Sequence, residues 1–449
     1  MNKAAANVVN VAKNATSNVA SKATNLVGGI MPDTDSGKGK IIMGLVVLVV
    51  ILAISLMIWS FVIKPNAEKL PTTQNMVNIA AAQTSAVEKA IETINIKKGA
   101  MKVLDNDRNF LINHHVLATI GSGYLGPVRD GVFSEQQAMK LAISGGVRCF
   151  VFDIHEDKQN GARMTNKING IKVSLNSGHV GKTICSCDQT AFGSMIGAVQ
   201  NVMENDPVIY YLRFDKAPSE KAAQEIADAL YRIRGSVLRS NAKGEFTHRK
   251  SEGQLFFLNP DDLTKKIIVL TNIDTGVYHK NISKVGRPDL DYYVHGRVYN
   301  ISDNQKDINT RYAYEIPLSY IMALDSDGVQ DLMKRSRVSW CIVVPPNTDY
   351  VYSEEEIKKI KSCGIQAVAS YALRDFAVDA AGLTAGNEKK GTKVVRSPFL
   401  SMFREGDTQR AYVSKASEQQ YVRPKPAAIE SAPKEFNSNG GMLVAPKVG

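Results

Sequence analysis

Four histidines and a group of carboxylates stand near one another between residues 114 and 179: Asn113-His114-His115, then Asp153-Ile154-His155-Glu156-Asp157, then Ser177-Gly178-His179. Histidine titrates near neutrality, so a pair facing one bound group can act as general base and general acid. His114, His115 and His179 are the candidate proton carriers. Clustered carboxylates offer hard oxygen ligands, and Asp153, Glu156 and Asp157 are candidates to hold a cation such as Ca2+, with Asp215 a further one. Each has a plainer alternative: His114 as a hydrogen-bonded rim residue, Glu156 and Asp157 as solvated surface charges.

Side chains this far apart in sequence meet only where a fold gathers strand ends. Apolar runs at 110–112, 149–154, 171–175, 208–212, 267–270, 338–344 and 367–370 read as strands. Helical spacing covers 135–144, 192–204, 219–233 and 354–362. Strands rich in Val and Ile that alternate with helices predict a parallel sheet covered by helices. Their number, over roughly 270 residues, predicts a closed (β/α) barrel. A doubly wound open sheet is the alternative, and no glycine-rich phosphate loop supports it. In a barrel the C-terminal strand ends share one rim, where the candidates above would converge.

Residues 41–63 run for 23 positions without a charge, an amide or a proline. As a helix they span roughly 35 Å against a bilayer core of roughly 30 Å, which predicts a single transmembrane helix and makes the lipid bilayer the first expected partner. Lys38 and Lys40 with Asp33 and Asp35 on one side balance Lys64 and Lys69 with Glu68 on the other, so flanking charge favours neither orientation. Residues 1–40 read as a weakly amphipathic or disordered segment and 64–106 as a stalk, helix-compatible over 76–93. The globular domain is expected over 107–380, and 381–449 as a basic, extended, Pro- and Gly-containing tail.

The formal net charge is +11. Residues 1–40 contribute +3 (five Lys against two Asp) and residues 381–449 contribute +5 (eleven Lys and Arg against six Asp and Glu). Such ends attract anionic lipid or an acidic protein surface. No compact Arg/Lys stripe with interleaved aromatics marks a nucleic-acid partner. Cys149, Cys341 and Cys363 lie in apolar stretches and read as buried thiols, and the Cys185-Ser186-Cys187 pair lacks zinc-site spacing.

The stretches 110–125 (FLINHHVLATIGSGYL) and 142–153 (AISGGVRCFVFD) resemble the opening of the X region of phosphatidylinositol-specific phospholipase C. Residues 173–179, 205–212 and 363–371 fit the same pattern in order and spacing, so the resemblance covers about 107–376. It implies a distorted TIM barrel with two rim histidines as base and acid and, in eukaryotic-type members, a Ca2+ held by carboxylates and an Asn. His179 matches the second catalytic histidine. The first is replaced by Gly121 in Gly121-Ser122-Gly123-Tyr124, and Ser122 stands for the metal-binding Asn. Of the acidic pair only Asp153 is kept, with Val151 in place of the other, and Arg213 stands where a further acidic residue is expected.

The expectation is therefore a membrane-anchored structural or binding protein on a degenerate barrel, needing no cofactor, with Ca2+ only if the family mechanism were retained. Similar stand-alone domains occur in large DNA viruses, which implies a virion or viral inner membrane as the setting and capsid or other membrane proteins as partners of the basic tail. Two alternatives stand beside it. One is a phosphoric diester hydrolase using His179 with His114 or His115. The other is a lipid-headgroup sensor that grips phosphate through Arg213, Lys182 and His179.

Overall fold

The computed structural model describes residues 73–94, 104–105, 107–125, 134–156, 171–173, 191–203, 205–238, 255–279, 288–302, 313–346, 350–388, 396–405 and 408–424. The expected transmembrane helix at 41–63 and the segment 1–40 lie outside these residues. Among the described residues no helix is long and apolar enough to cross a membrane.

The first elements are α1 (Thr73–Thr93), β1 (His114–Thr119), α2 (Glu135–Ser144), β2 (Cys149–Glu156), β3 (Ile171–Val173), α3 (Ala191–Val202), β4 (Val208–Phe214), α4 (Glu220–Arg232) and β5 (Ile267–Thr271). Next come α5 (Leu290–Tyr293), β6 (Gly296–Arg297), β7 (Tyr299–Asn300), β8 (Ala313–Pro317), α6 (Leu318–Ala323), α7 (Ser326–Ser336), β9 (Trp340–Val344) and α8 (Glu354–Ser362). The chain continues through β10 (Ala367–Ser370), α9 (Ala372–Glu388), α10 (Pro398–Ser401), β11 (Arg404–Glu405), β12 (Thr408–Gln409) and β13 (Tyr412–Ser414).

The parallel order β6-β5-β4-β2-β1-β10-β9-β8-β7 begins and ends in the same short stretch of chain. Residues 296–300 pair at Gly296 and Arg297 with β5 and at Tyr299 and Asn300 with β8. That shared segment brings the two ends of the sheet together, which a doubly wound sheet does not do. The α/β barrel expectation is thus met, and the strand-pairing order is that of a (β/α) barrel.

Each strand divides its side chains between two cores. Val116 and Ala118, Cys149 and Val151, Ile209 and Tyr211, Ile268 and Leu270, Trp340 and Ile342 fill the barrel interior. Their neighbours Leu117, Phe150, Phe152, Tyr210, Leu212, Val269 and Val343 pack outward under the helices. Both faces being apolar, the strands read as continuous hydrophobic runs. The helices over them start with oxygen caps at Ser219, Asp325 and Ser353, the last in a reciprocal capping box with Glu356.

Several elements depart from the expected plan. The first strand is His114–Thr119, and 111–113 form a 3-10 turn before it. β3 runs antiparallel to β2, so it is an arm of a hairpin and not a stave of the barrel. The helix-compatible part of the expected stalk is α1, which packs on α2 and α9 and buries Val87, Ala90 and Ile94. The helix α9 carries regular structure past residue 380, to Glu388.

The expected extended tail is built into the barrel over 396–424. β2 pairs with β1 only at Ala118 and Thr119, which leaves the first half of β1 with an open edge. β13 takes that edge in antiparallel register, His114 opposite Ser414 and Val116 opposite Tyr412. Phe399, Leu400 and Phe403 sink into the outer core, and Tyr421 packs edge-on against Phe110 and Phe257. The apolar piece 397–400 thus docks on the domain itself.

One buried ion pair stands at the start of β2 and β4. Arg148 Nε donates to Asp206 Oδ2 at 3.2 Å, with both side chains nearly inaccessible, and its Nη1 donates to the carbonyls of Ile143 and Val147. Removing one member leaves the other charge buried, which costs about 3–5 kcal/mol. Arg148→Met is therefore expected to lower the urea midpoint sharply, and adding Asp206→Asn to recover a large part of the loss. Equal midpoints for the single and double variants would contradict this.

Candidate functional site

The mouth of the barrel is the end at which the parallel strands finish. Asp153 lies two residues beyond Val151 on β2, and Arg213 two beyond Tyr211 on β4, so both follow interior positions. The sheet register sets them side by side, Asp153 opposite Arg213. Glu315, two beyond the interior Ala313 of β8, belongs to the same inward set, on the far side of the ring.

Arg213 joins these strands across the mouth. Its Nη1 donates to Asp153 Oδ1 at 3.0 Å, its Nη2 lies 3.1 Å from Glu315 Oε1, and its Nε donates to Glu315 Oε2 at 3.2 Å. Tyr211 adds its hydroxyl, donating to Glu315 Oε2 at 2.6 Å. Asp153 is 7% exposed, Glu315 17% and Arg213 33%, so the two carboxylates are largely withdrawn from solvent and the guanidinium partly so. Burial works against the guanidinium charge, but Glu315 and Asp153 outweigh it and raise Arg213 above its ordinary value. Burial also raises the Tyr211 phenol well above its usual value, and Glu315 adds to the effect. Tyr211 is thereby a neutral hydrogen-bond donor.

The turn after β1 supplies no proton carrier. Gly121 has φ 74° and Gly123 φ 105°, left-handed conformations that favour glycine. Ser122 between them is buried, and its hydroxyl has no hydrogen-bond partner among the described residues. The turn is held from above: the Tyr371 hydroxyl donates to the carbonyl of Tyr124 at 2.9 Å.

His114 and His115 sit at the opposite end. They begin β1, so the strand carries them to the N-terminal base and not to the mouth; six residues of extended chain, roughly 20 Å, separate His115 from Gly121. Nδ1–H of His115 donates to the carbonyl of Ile365 at 2.6 Å, while Nε2 has no partner among the described residues. Burial, with Lys415 adding to it, lowers His115 to about 3. Nδ1–H of His114 donates to the carbonyl of Phe110 at 3.1 Å. The expectation that either stands in for a rim base is corrected by this position: the strand starts four residues later than its apolar run, which turns the histidines from followers of a strand into its first residues.

Of the remaining candidates, Glu156 lies on β2 where it runs past β4 into the hairpin with β3, with its side chain outside the described set. Asp157, His179 and Lys182 lie outside the described residues. Asp215 follows β4 and is exposed. Sequence reasoning missed Glu315 and Tyr211. The available signal was a lone carboxylate in the run Ala313-Tyr314-Glu315-Ile316-Pro317, a charge two residues past an apolar strand position.

The Ca2+ implied by the resemblance does not fit these residues. The place beside Asp153 is taken by a guanidinium, and a fixed positive charge there repels a divalent cation. Among the described residues no three His, Cys, Asp or Glu side chains come together as a metal site.

No known family matches the chain by sequence profile, and no curated protein matches it by sequence. Solved structures do. The barrel is similar in fold to phospholipases C. L. pealei PLC21 is 13% identical, with 71% of this chain and 39% of that chain covered at a TM-score of 0.44. The calcium-dependent phosphoinositol-specific phospholipase C of a Gram-negative Pseudomonas sp is 10% identical over 62% of this chain and 96% of that one, at a TM-score of 0.39. A glycerophosphodiester phosphodiesterase from Parabacteroides distasonis is 10% identical over 62% of this chain and 100% of that one, at a TM-score of 0.34. The chain thus spans 39% of the length of the L. pealei protein. These likenesses are distant, and the barrel assignment rests on the strand order and register described above.

Proposed function

We propose that this chain is a membrane-anchored structural or binding protein built on a phospholipase C-like barrel that does not hydrolyse phosphodiesters. The observation that carries this reading is the separation of the two barrel ends. The mouth has Gly121-Ser122-Gly123 after β1, without a titratable side chain, while His114 and His115 are locked in the base. General acid–base catalysis needs its groups within hydrogen-bond reach of one substrate, and loss of one partner typically costs on the order of 10²–10⁴ in rate.

Residues 41–63 supply the anchor in this reading, with the bilayer as first partner. The basic ends draw the chain to anionic lipid or to a protein neighbour, and a virion or viral inner membrane is the setting the sequence resemblance implies. The headgroup-sensor alternative is weakened by the same geometry. Arg213 faces two carboxylates, so the triad is net negative and a poor seat for phosphate.

The full chain in detergent micelles, given phosphatidylinositol and glycerophosphodiesters from mildly acidic to mildly alkaline pH with and without Ca2+, is expected to release no phosphorylated product by phosphorus NMR. Turnover that His179→Ala abolishes would overturn the proposal. The chain is also expected to stay with membranes through an alkaline carbonate wash, and a chain lacking 41–63 to be released.

A further inference from the structure

Arg213 is the group at the mouth that ties β2 to β8, strands that are not neighbours in the ring. It does so through two carboxylates, each with an oxygen within 3.2 Å of a guanidinium nitrogen. Two negative charges therefore face one positive charge, and both carboxylates are largely withdrawn from solvent. Carboxylate oxygens that converge from separate strands onto one cation form the kind of donor set that a hard divalent metal uses, with water completing the shell. Here the cation is a side chain, held on β4 by the register that sets Asp153 opposite Arg213. Tyr211, donating to Glu315 from beneath, fixes the orientation of the farther carboxylate.

We propose that Arg213 is a built-in cation: it fills the place where a divalent metal would bridge Asp153 and Glu315, so the mouth is indifferent to metal as it stands, and shortening Arg213 opens a Ca2+ site there. A protein that keeps its barrel mouth braced by its own chain holds its shape whether or not Ca2+ is present, unlike one braced by an exchangeable ion. This inference rests on the geometry of the network and does not require the proposed function to hold.

The test uses the full chain in detergent micelles. The wild type is expected to melt at the same temperature with Ca2+ or with a chelator, and to give no terbium luminescence. Arg213→Ala is expected to bind Tb3+ with luminescence sensitised by Tyr211, to lose that signal when Ca2+ competes, and to gain roughly 5 °C in Tm when Ca2+ is present at about 100 times its Kd. Arg213→Lys keeps the charge and is expected to bind neither ion; Arg213→Ala with Glu315→Gln is expected to lose the gained site. Tight metal binding by the wild type overturns the inference, and so does an Arg213→Ala chain that Ca2+ leaves unchanged.

If Arg213→Ala fails to fold, Arg213→Gln and refolding in Ca2+ against chelator replace the melt. Folded chain recovered in Ca2+ alone supports the inference, and recovery in neither condition overturns it. Hydrolysis by the wild type would sink the proposed function and leave this inference standing, whereas Ca2+ binding by the wild type would do the reverse.

Discussion

Truncation after Arg396 is expected to leave a chain that does not fold. The removed stretch contains Phe399, Leu400, Met402, Phe403 and Val413, all buried. At about 1.5–3 kcal/mol for each such side chain, their loss removes on the order of 10 kcal/mol. A domain's whole stability is about 5–15 kcal/mol, so little remains. The lost hydrogen bonds add to this. Leu117 N–H donates to the carbonyl of Ala411 at 3.0 Å and Lys415 N–H to that of Asn113 at 2.9 Å, so truncation strips the open edge of β1. Truncation after Pro424 keeps every one of these contacts, and its expected result is a folded chain. Soluble yield and a cooperative melt distinguish the two. A cooperative melt from the shorter chain would show that the barrel closes without β13.

The second large effect is on pH. Lys415 lies in the base with its ammonium nitrogen donating to the carbonyl of Ser336 at 2.9 Å. Burial lowers its pKa to about 7 from an ordinary 10.5; Cys341 opposes the shift and Arg337 adds to it. Between those values the unfolded chain holds a proton that the folded chain has lost, so stability rises with pH there and falls as pH drops towards 7. The full window amounts to about 5 kcal/mol, at about 1.4 kcal/mol per pH unit. His115 continues the trend: it is lowered from 6.5 to about 3, so its contribution is complete above 6.5 and is lost as pH falls through that window. That too amounts to about 5 kcal/mol.

Buried thiols work the other way in alkali. Cys341 is raised to about 12 and Cys363 to about 11, both mainly by burial, so stability is lost as pH rises above the ordinary thiol value of 9.0. The lysine effect is therefore clearest between pH 7 and 9. Urea titrations across pH are expected to show stability rising with pH from acid to about 9, with Lys415→Met flat from 7 to 9 and His115→Asn flattened in the acid limb. His115→Asn retains an amide donor for the Ile365 carbonyl. Parallel slopes in wild type and Lys415→Met would place the titration elsewhere.

The truncation effect and the Lys415 titration arise in a part of the chain that composition marks as a tail. Pro and Gly content describes local stiffness and says nothing of a distant open edge. The short apolar pieces around Phe399 and Tyr412 carry too little pattern to announce a partner some 290 residues away in sequence (Val116 to Tyr412 is 296 positions). The same limit explains why 296–300 and 313–317 went unread as strands. They are brief, and pairing, of 296–300 with β5 and β8 and of 313–317 with β7 and β9, is what makes them strands. Helices such as α8 were legible because cap, charge gradient and apolar spacing all lie within one short segment.

The sequence alone determined the alternation of buried strands and amphipathic helices, hence the α/β barrel. It also determined the absence of a titratable side chain at Gly121 and the presence of Arg213 where an acid was expected. These are local facts, fixed by residue type and spacing. The tertiary structure decided to which end of the barrel each group belongs. A shift of four residues in the start of β1 sends His114 and His115 to the base, because a strand's direction assigns its first and last residues to opposite ends. It also decided what Arg213 does. Strands buried on both faces hide the two-residue period that would reveal inward positions, and only closure of the ring through 296–300 sets Glu315 opposite Asp153 with a guanidinium between them.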